Sequence, residues 1–179
     1  MNVRVLRSLA IGAVAVALMT AAAVPAIATS QRPVSEAMSG YMLGMRMADD
    51  LLNGSTFDGR CSAPSQWVSS SAGTGTMSHL GRVTWTTEHC FQLFAGTFGD
   101  AVLVITAANG DRLYGTYDGV MTGETTYAET VHFTGGTGRF AGARGDVVET
   151  GWFDPVSGYM EITGRGWIGY DASDRASSD

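Results

Sequence analysis

The stretch AVLVITAANGDRLYGTYDGVM (101–121) decides the fold. It holds two runs of strand-forming residues on either side of Asn109-Gly110. An Asn-Gly pair between two such runs is the strongest short-range signal for a hairpin, because its tight turn needs left-handed backbone. In the second run Leu113, Tyr117 and Met121 alternate with polar neighbours, as on a strand with one face buried. This part of the chain reads as two antiparallel strands.

The same texture extends in both directions. Short runs rich in Val, Thr, Ile and aromatics alternate with Gly-containing turns, predicting strands at 64–71, 74–80, 82–91, 100–108, 111–121, 125–134, 144–153 and 159–170. Asp154-Pro155-Val156-Ser157-Gly158 is a second, longer hairpin loop. Neighbours this close in sequence pair antiparallel, and a closed barrel removes the exposed edges of the sheet. The expected class is all-β: an eight-stranded antiparallel up-and-down barrel around a small cavity. An internal echo fits it. Phe94-Ala95-Gly96-Thr97-Phe98-Gly99-Asp100 and Phe140-Ala141-Gly142-Ala143-Arg144-Gly145-Asp146 share the pattern F-A-G-x-x-G-D, and each copy runs into a Val-containing strand. Glycine at such corners admits positive φ and close backbone approach.

Upstream the pattern changes. Met38, Tyr41, Met42, Met45, Ala48 and Leu52 follow helical spacing, with Asn53-Gly54 as a stop, so 35–52 is expected to be an amphipathic helix. Gly40, Gly44 and Ala48 would form a small-residue stripe on it, and four Met an adaptable contact surface. Such a helix either docks on the barrel or covers its cavity as a lid. Further upstream, Arg4 and Arg7, the apolar run Leu9–Ala23 and Ala26-Ile27-Ala28 make a signal peptide over 1–28, cut after Ala28. The organisation expected is thus signal peptide 1–28, leader and helix 29–54, barrel 55–170 and a disordered tail 171–179. The protein would be secreted, with no stable membrane anchor after cleavage.

Export changes the meaning of Cys61 and Cys90, the two cysteines of the chain. In an oxidising compartment they most simply form one disulfide, which would contribute about 3–4 kcal/mol by constraining the unfolded chain. Charge excludes another class of function. The 179 residues carry 11 basic and 17 acidic side chains, a net charge of −6 that deepens by two to −8 once Arg4 and Arg7 leave with the signal. A nucleic-acid binder needs clustered positive charge, and this chain has none.

Chemistry-bearing motifs are sparse. Gly136-x-Gly138-x-x-Ala141 satisfies a dinucleotide fingerprint but runs on into a β pattern instead of the helix that would hold a pyrophosphate. No spacing supports a metal set among His79, His89 and His132. Neither a cofactor nor a metal is expected. Alternation is more informative. Trp85 and His89 share a face of 82–91, Tyr127, Glu129 and Phe133 one of 125–134, and Glu149 and Phe153 one of 144–153. If the apolar members face inward, Glu129, Glu149, His89 and Tyr117 become candidate catalytic residues, and Trp85, Tyr127, Phe133 and Phe153 candidate substrate-pocket residues. A carboxyl inside an apolar barrel has a raised pKa and suits general acid–base work. The alternative is a place at the barrel rim or in a satisfied polar pair.

The strings GTMSHLGRVTW (75–85), TAANGDRLYGTYDG (106–119) and HFTGGTGRFAGARGDV (132–147) carry a resemblance to a known group. Over about 57–170 the chain resembles bacterial members of the allene oxide cyclase barrel-like family, related in fold to plant allene oxide cyclases and dirigent proteins. The resemblance implies an eight-stranded antiparallel barrel with an apolar lumen. Relatives use it to hold a flexible hydrophobic substrate during cyclisation, or to steer radical coupling, without a cofactor. The first expectation is therefore a cofactor-independent cyclase or isomerase of a hydrophobic, polyketide- or oxylipin-like small molecule. The alternatives are a non-catalytic carrier of such a molecule and a structural barrel with a filled lumen; homo-oligomeric assembly is left open. An open lumen with converging polar groups would favour the enzyme, and a packed one would exclude both small-molecule readings.

Overall fold

The computed structural model describes residues 30–47, 61 and 67–170. These residues form eight strands: β1 (Gln31–Met47), β2 (Trp67–Met77), β3 (Gly81–Gln92), β4 (Thr97–Ala107), β5 (Arg112–Met121), β6 (Thr126–Gly136), β7 (Arg144–Phe153) and β8 (Tyr159–Gly169). Each pairs antiparallel with its neighbours in sequence, and β8 pairs back onto β1 to close the barrel. A short 3₁₀ turn, Gly138–Phe140, interrupts the connection from β6 to β7.

Two expectations are corrected. The leader and amphipathic helix are, over their described part, strand β1, which begins at Gln31. Residues 48–52 of the expected helix, the signal segment 1–28 and the tail 171–179 lie outside the described residues. The physical reason is an ambiguity of period. Residues four apart share a helix face and also a strand face, because four is a multiple of two. Met38 with Met42, and Gly40 with Gly44, satisfy both periods. Burial separates them: Val34, Glu36, Met38 and Gly40 are buried, while Ser35, Ala37 and Tyr41 are exposed. Ladders to β2 on one side and β8 on the other stabilise the strand, and neither partner is local in sequence. The lid reading falls with the helix.

The strands expected at 64–71 and 74–80 are, where described, one strand, β2. Gly73 reads as turn punctuation but lies mid-strand, where neighbours approach closely. A Cβ on Gly73 would meet Ser39 O, Gly40 Cα and the Trp85 ring, and one on Gly40 would meet the same ring. The two glycines leave the space that the Trp85 indole fills.

The barrel has two unlike ends. The β2–β3, β4–β5 and β6–β7 connections lie at one end, and Leu80, Phe140, Ala143 and Tyr170 close it over Ile105, Leu113 and Ile168. Phe140 and Tyr170 meet edge to face at 5.1 Å, with Arg139 over the first ring and Arg32 over the second. The β3–β4, β5–β6 and β7–β8 connections form the other end, where Phe94 and Val156 stand in solvent. The core thus fills one half of the barrel and leaves the other open.

Candidate functional site

A cavity of about 530 Å³ enters the barrel from the open end. Most of its wall is apolar, supplied by Met38, Met42, Leu103, Met121, Met160 and Ile162 among others. Inward alternation brings the polar groups together, because every second residue of each strand must face this space. Glu129, Glu149, His89 and Tyr117 all line it, as do Trp85, Tyr127 and Phe153. Phe133 does not. It is buried in the packed half of the core, two positions beyond Val131 toward the closed end, and so is corrected from pocket to core residue.

A third carboxyl-bearing strand escaped sequence reasoning. Glu36 on β1 is 6% exposed and belongs to one row of paired positions with Glu129 and Glu149. Glu129 pairs with Glu149 across β6 and β7, Glu149 with Gly164 across β7 and β8, and Gly164 with Glu36 across β8 and β1. Gly164 is the notch that brings Glu149 and Glu36 together: a Cβ there would strike Glu36 Oε1, Val147 Cγ1 and Glu149 Cγ. Neither Glu36 oxygen has a hydrogen-bond partner among the described residues, and burial beside Glu149 favours its neutral acid form over the carboxylate.

Burial dominates the electrostatics of the row. It pushes Glu36 up to about 10, and the neighbouring Glu149 adds to the effect. It also raises Glu149 to about 8, where Glu36 opposes the rise and the charge of Glu129 assists. Glu129 rises least, to about 7, because its neighbour Glu149 opposes the effect of burial. Glu129 is therefore the first of the three to ionise, and it faces the cavity.

Strands β3 and β5, the latter paired to the strand of Glu129, carry a different set. The Tyr117 hydroxyl lies 2.6 Å from His89 Nδ1 and 2.7 Å from Thr87 Oγ1, which also reaches the Val102 carbonyl at 3.0 Å. Burial, aided by the charge of Glu129, raises Tyr117 well above its ordinary value, so the phenol keeps its proton. When Thr87 donates to Tyr117, Tyr117 donates to His89 Nδ1, which places the neutral imidazole proton on Nε2. Phe98 centres the aromatic wall, with the rings of His89, Phe91, Tyr117 and Tyr127 between 5.1 and 6.4 Å away. Gly119 makes room for it, since a Cβ there would meet the Phe98 ring. Alternation of Val34, Glu36 and Met38 was the signal that could have exposed Glu36, had 35–52 been read as a strand.

Cys61 and Cys90 form the expected disulfide, which packs with Val68 outside the cavity. A disulfide is consistent with an oxidising environment. Among the described residues no group of three or more His, Cys, Asp and Glu side chains is arranged to hold a metal ion. Among the same residues no helix is long and apolar enough to cross a membrane.

Fold and site together define a closed eight-stranded antiparallel barrel with a half-open lumen and a buried row of carboxyls. Among solved structures the chain is similar to the pterocarpan synthase dirigent protein GePTS1, with 16% identity, coverage of 79% of this chain and 92% of that one, and a TM-score of 0.48. No protein-family model and no curated protein matches it.

Proposed function

We propose that this protein is an exported, cofactor-independent cyclase or isomerase that folds a hydrophobic, polyketide- or oxylipin-like small molecule inside the barrel. The observation that carries the reading is the convergence of Glu129 and Glu149 on an open cavity that is otherwise largely apolar. The cavity supplies orientation: a flexible chain confined there loses conformers before it reacts, which is worth several kcal/mol of barrier. Glu129, ionising near neutrality, accepts a proton from the bound molecule; Glu149, still protonated there, gives one. Tyr117 from β5 and His89 from β3 hold a polar group of the substrate. Cleavage after Ala28 and formation of the Cys61–Cys90 bridge in an oxidising compartment complete the reading.

Native mass spectrometry of the protein and its Glu129→Gln/Glu149→Gln variant, both purified from the native host, tests it. Wild type should retain a hydrophobic product, and the variant an isomer of it separable by chromatography. The same molecule in both would leave a carrier. Protein that is ligand-free and refuses neutral hydrophobic probes would remove both readings.

A further inference from the structure

Uncovered apolar surface gathers at one end of the barrel. Leu43 and Met45 near the end of β1, Leu93 and Phe94 between β3 and β4, and Val156 between β7 and β8 all stand exposed around the open end. Among the described residues no large apolar side chain is exposed at the connections of the closed end. Met45, Leu93 and Phe94 also line the cavity, so its apolar wall runs out through the mouth and onto the rim. These tips are fixed in place. Met42 N donates to Gly158 O at 2.9 Å, which ties the bulge carrying Leu43 to the loop carrying Val156. Gly96 N donates to Gln92 O at 2.9 Å, and Met121 N to Gly96 O at 2.7 Å, which closes the turn carrying Leu93 and Phe94 and fastens it to β5. Apolar side chains held this way in water gain burial only from a second surface, and little ordering entropy is lost when they do.

Charge divides along the same axis. Every Arg among the described side chains lies toward the closed end: Arg32, Arg82, Arg112 and Arg144 near the starts of β1, β3, β5 and β7, Arg139 between β6 and β7, and Arg165 in the later half of β8. The open end carries Glu124, Asp154 and Glu161. An anionic surface is therefore repelled by this end, and a surface without net charge is not.

Resting on the reading that the lumen takes a hydrophobic molecule, we propose that the open end docks reversibly on a zwitterionic lipid layer, so that this molecule passes between lipid and lumen without crossing water. The apolar tips enter the boundary between headgroups and acyl chains, where binding strength scales with the apolar area buried. Tyr41 and Trp152, exposed on the outer wall behind the rim, are the amphipathic rings that favour such a boundary. The route matters to the ligand. Release directly into water exposes its apolar body, which disfavours exit by about fourfold for each methylene. A mouth seated on lipid removes that step, because the wall of the cavity and the acyl layer become continuous.

Flotation of the protein secreted by its native host with phosphatidylcholine vesicles, and separately with phosphatidylglycerol vesicles, tests the docking; calorimetry with dodecanol and no vesicles tests the lumen. Binding to phosphatidylcholine should be at least about tenfold tighter than to phosphatidylglycerol. Leu43→Ser/Val156→Ser, which alters no residue of the cavity wall, should weaken phosphatidylcholine binding at least about tenfold. Its dodecanol affinity should stay that of wild type, which also shows that the variant is folded. Arg82→Ser/Arg112→Ser, at the other end, should bind phosphatidylcholine as wild type does. Failure to bind phosphatidylcholine, tighter binding to phosphatidylglycerol, or undiminished binding by the Leu43/Val156 variant overturns the docking, and dodecanol binding then leaves the lumen reading standing. Failure of wild type to bind dodecanol overturns the lumen reading and the passage of a ligand with it.

Discussion

The two copies of F-A-G-x-x-G-D lie at opposite ends of the barrel. Their backbones do the same thing: Gly96 and Gly142, the third residue of each copy, take positive φ of 62° and 70°. Their aromatic residues do opposite things. Phe94 is 89% exposed at the cavity mouth, whereas Phe140 is fully buried in the closed end against Tyr170 and Arg139. The local sequence sets a turn geometry, and the surroundings decide whether the ring beside it plugs a core or stands in solvent. This asymmetry makes a pocket possible, since one end must be sealed for the other to open.

The comparison can be broken most forcefully at the closed end. Phe140→Ala should cost about 3–5 kcal/mol in chemical denaturation, because it empties a fully packed site. A near-neutral result would mean that the closed end is not the stable half. The open half should reveal itself by pH. The folded-state pKa of Glu129 lies above the ordinary value of 4.5, so the stability it contributes is present below that value and is lost as pH rises through about 7. The loss is about 3 kcal/mol across that window, and Glu129→Gln should remove it. Denaturation curves at successive pH values check the slope; identical slopes in variant and wild type would contradict the protonated row.

A smaller effect is expected where the halves share a strand. Gly164→Ala should cost about 1–3 kcal/mol by overpacking. It should also drive Glu36 from Glu149, which carbon NMR of the carboxyls would register as altered titration of both. Smallest of all, Phe94→Ala should change stability by less than about 0.5 kcal/mol, as exposed positions do. A larger loss would show the mouth to be part of the core after all.

Much of the barrel was legible along the chain. The Asn109-Gly110 hairpin, the alternation through β3 to β8 and the Cys61–Cys90 bridge follow from local periodicity and from counting cysteines. Inward alternation also placed Glu129, Glu149, His89 and Tyr117 on the lumen side. The errors in β1 and β2 have a tertiary origin besides the ambiguity of period: Gly40 and Gly73 make room for the Trp85 ring, and they took the look of a helix stripe and a turn. A neighbour from another strand shaped those sequences, and nothing within them names it.

By itself the sequence determined which residues alternate toward a common interior, because strand period is a local property of the backbone. Only the tertiary structure decided which of those inward residues stand at the same height. Pairing register runs across β6, β7, β8 and β1, and it joins Glu129 and Glu149 to a carboxyl far upstream, across the gap left by Gly164. Barrel closure sets that register for all strands at once, so no single segment of the chain contains it.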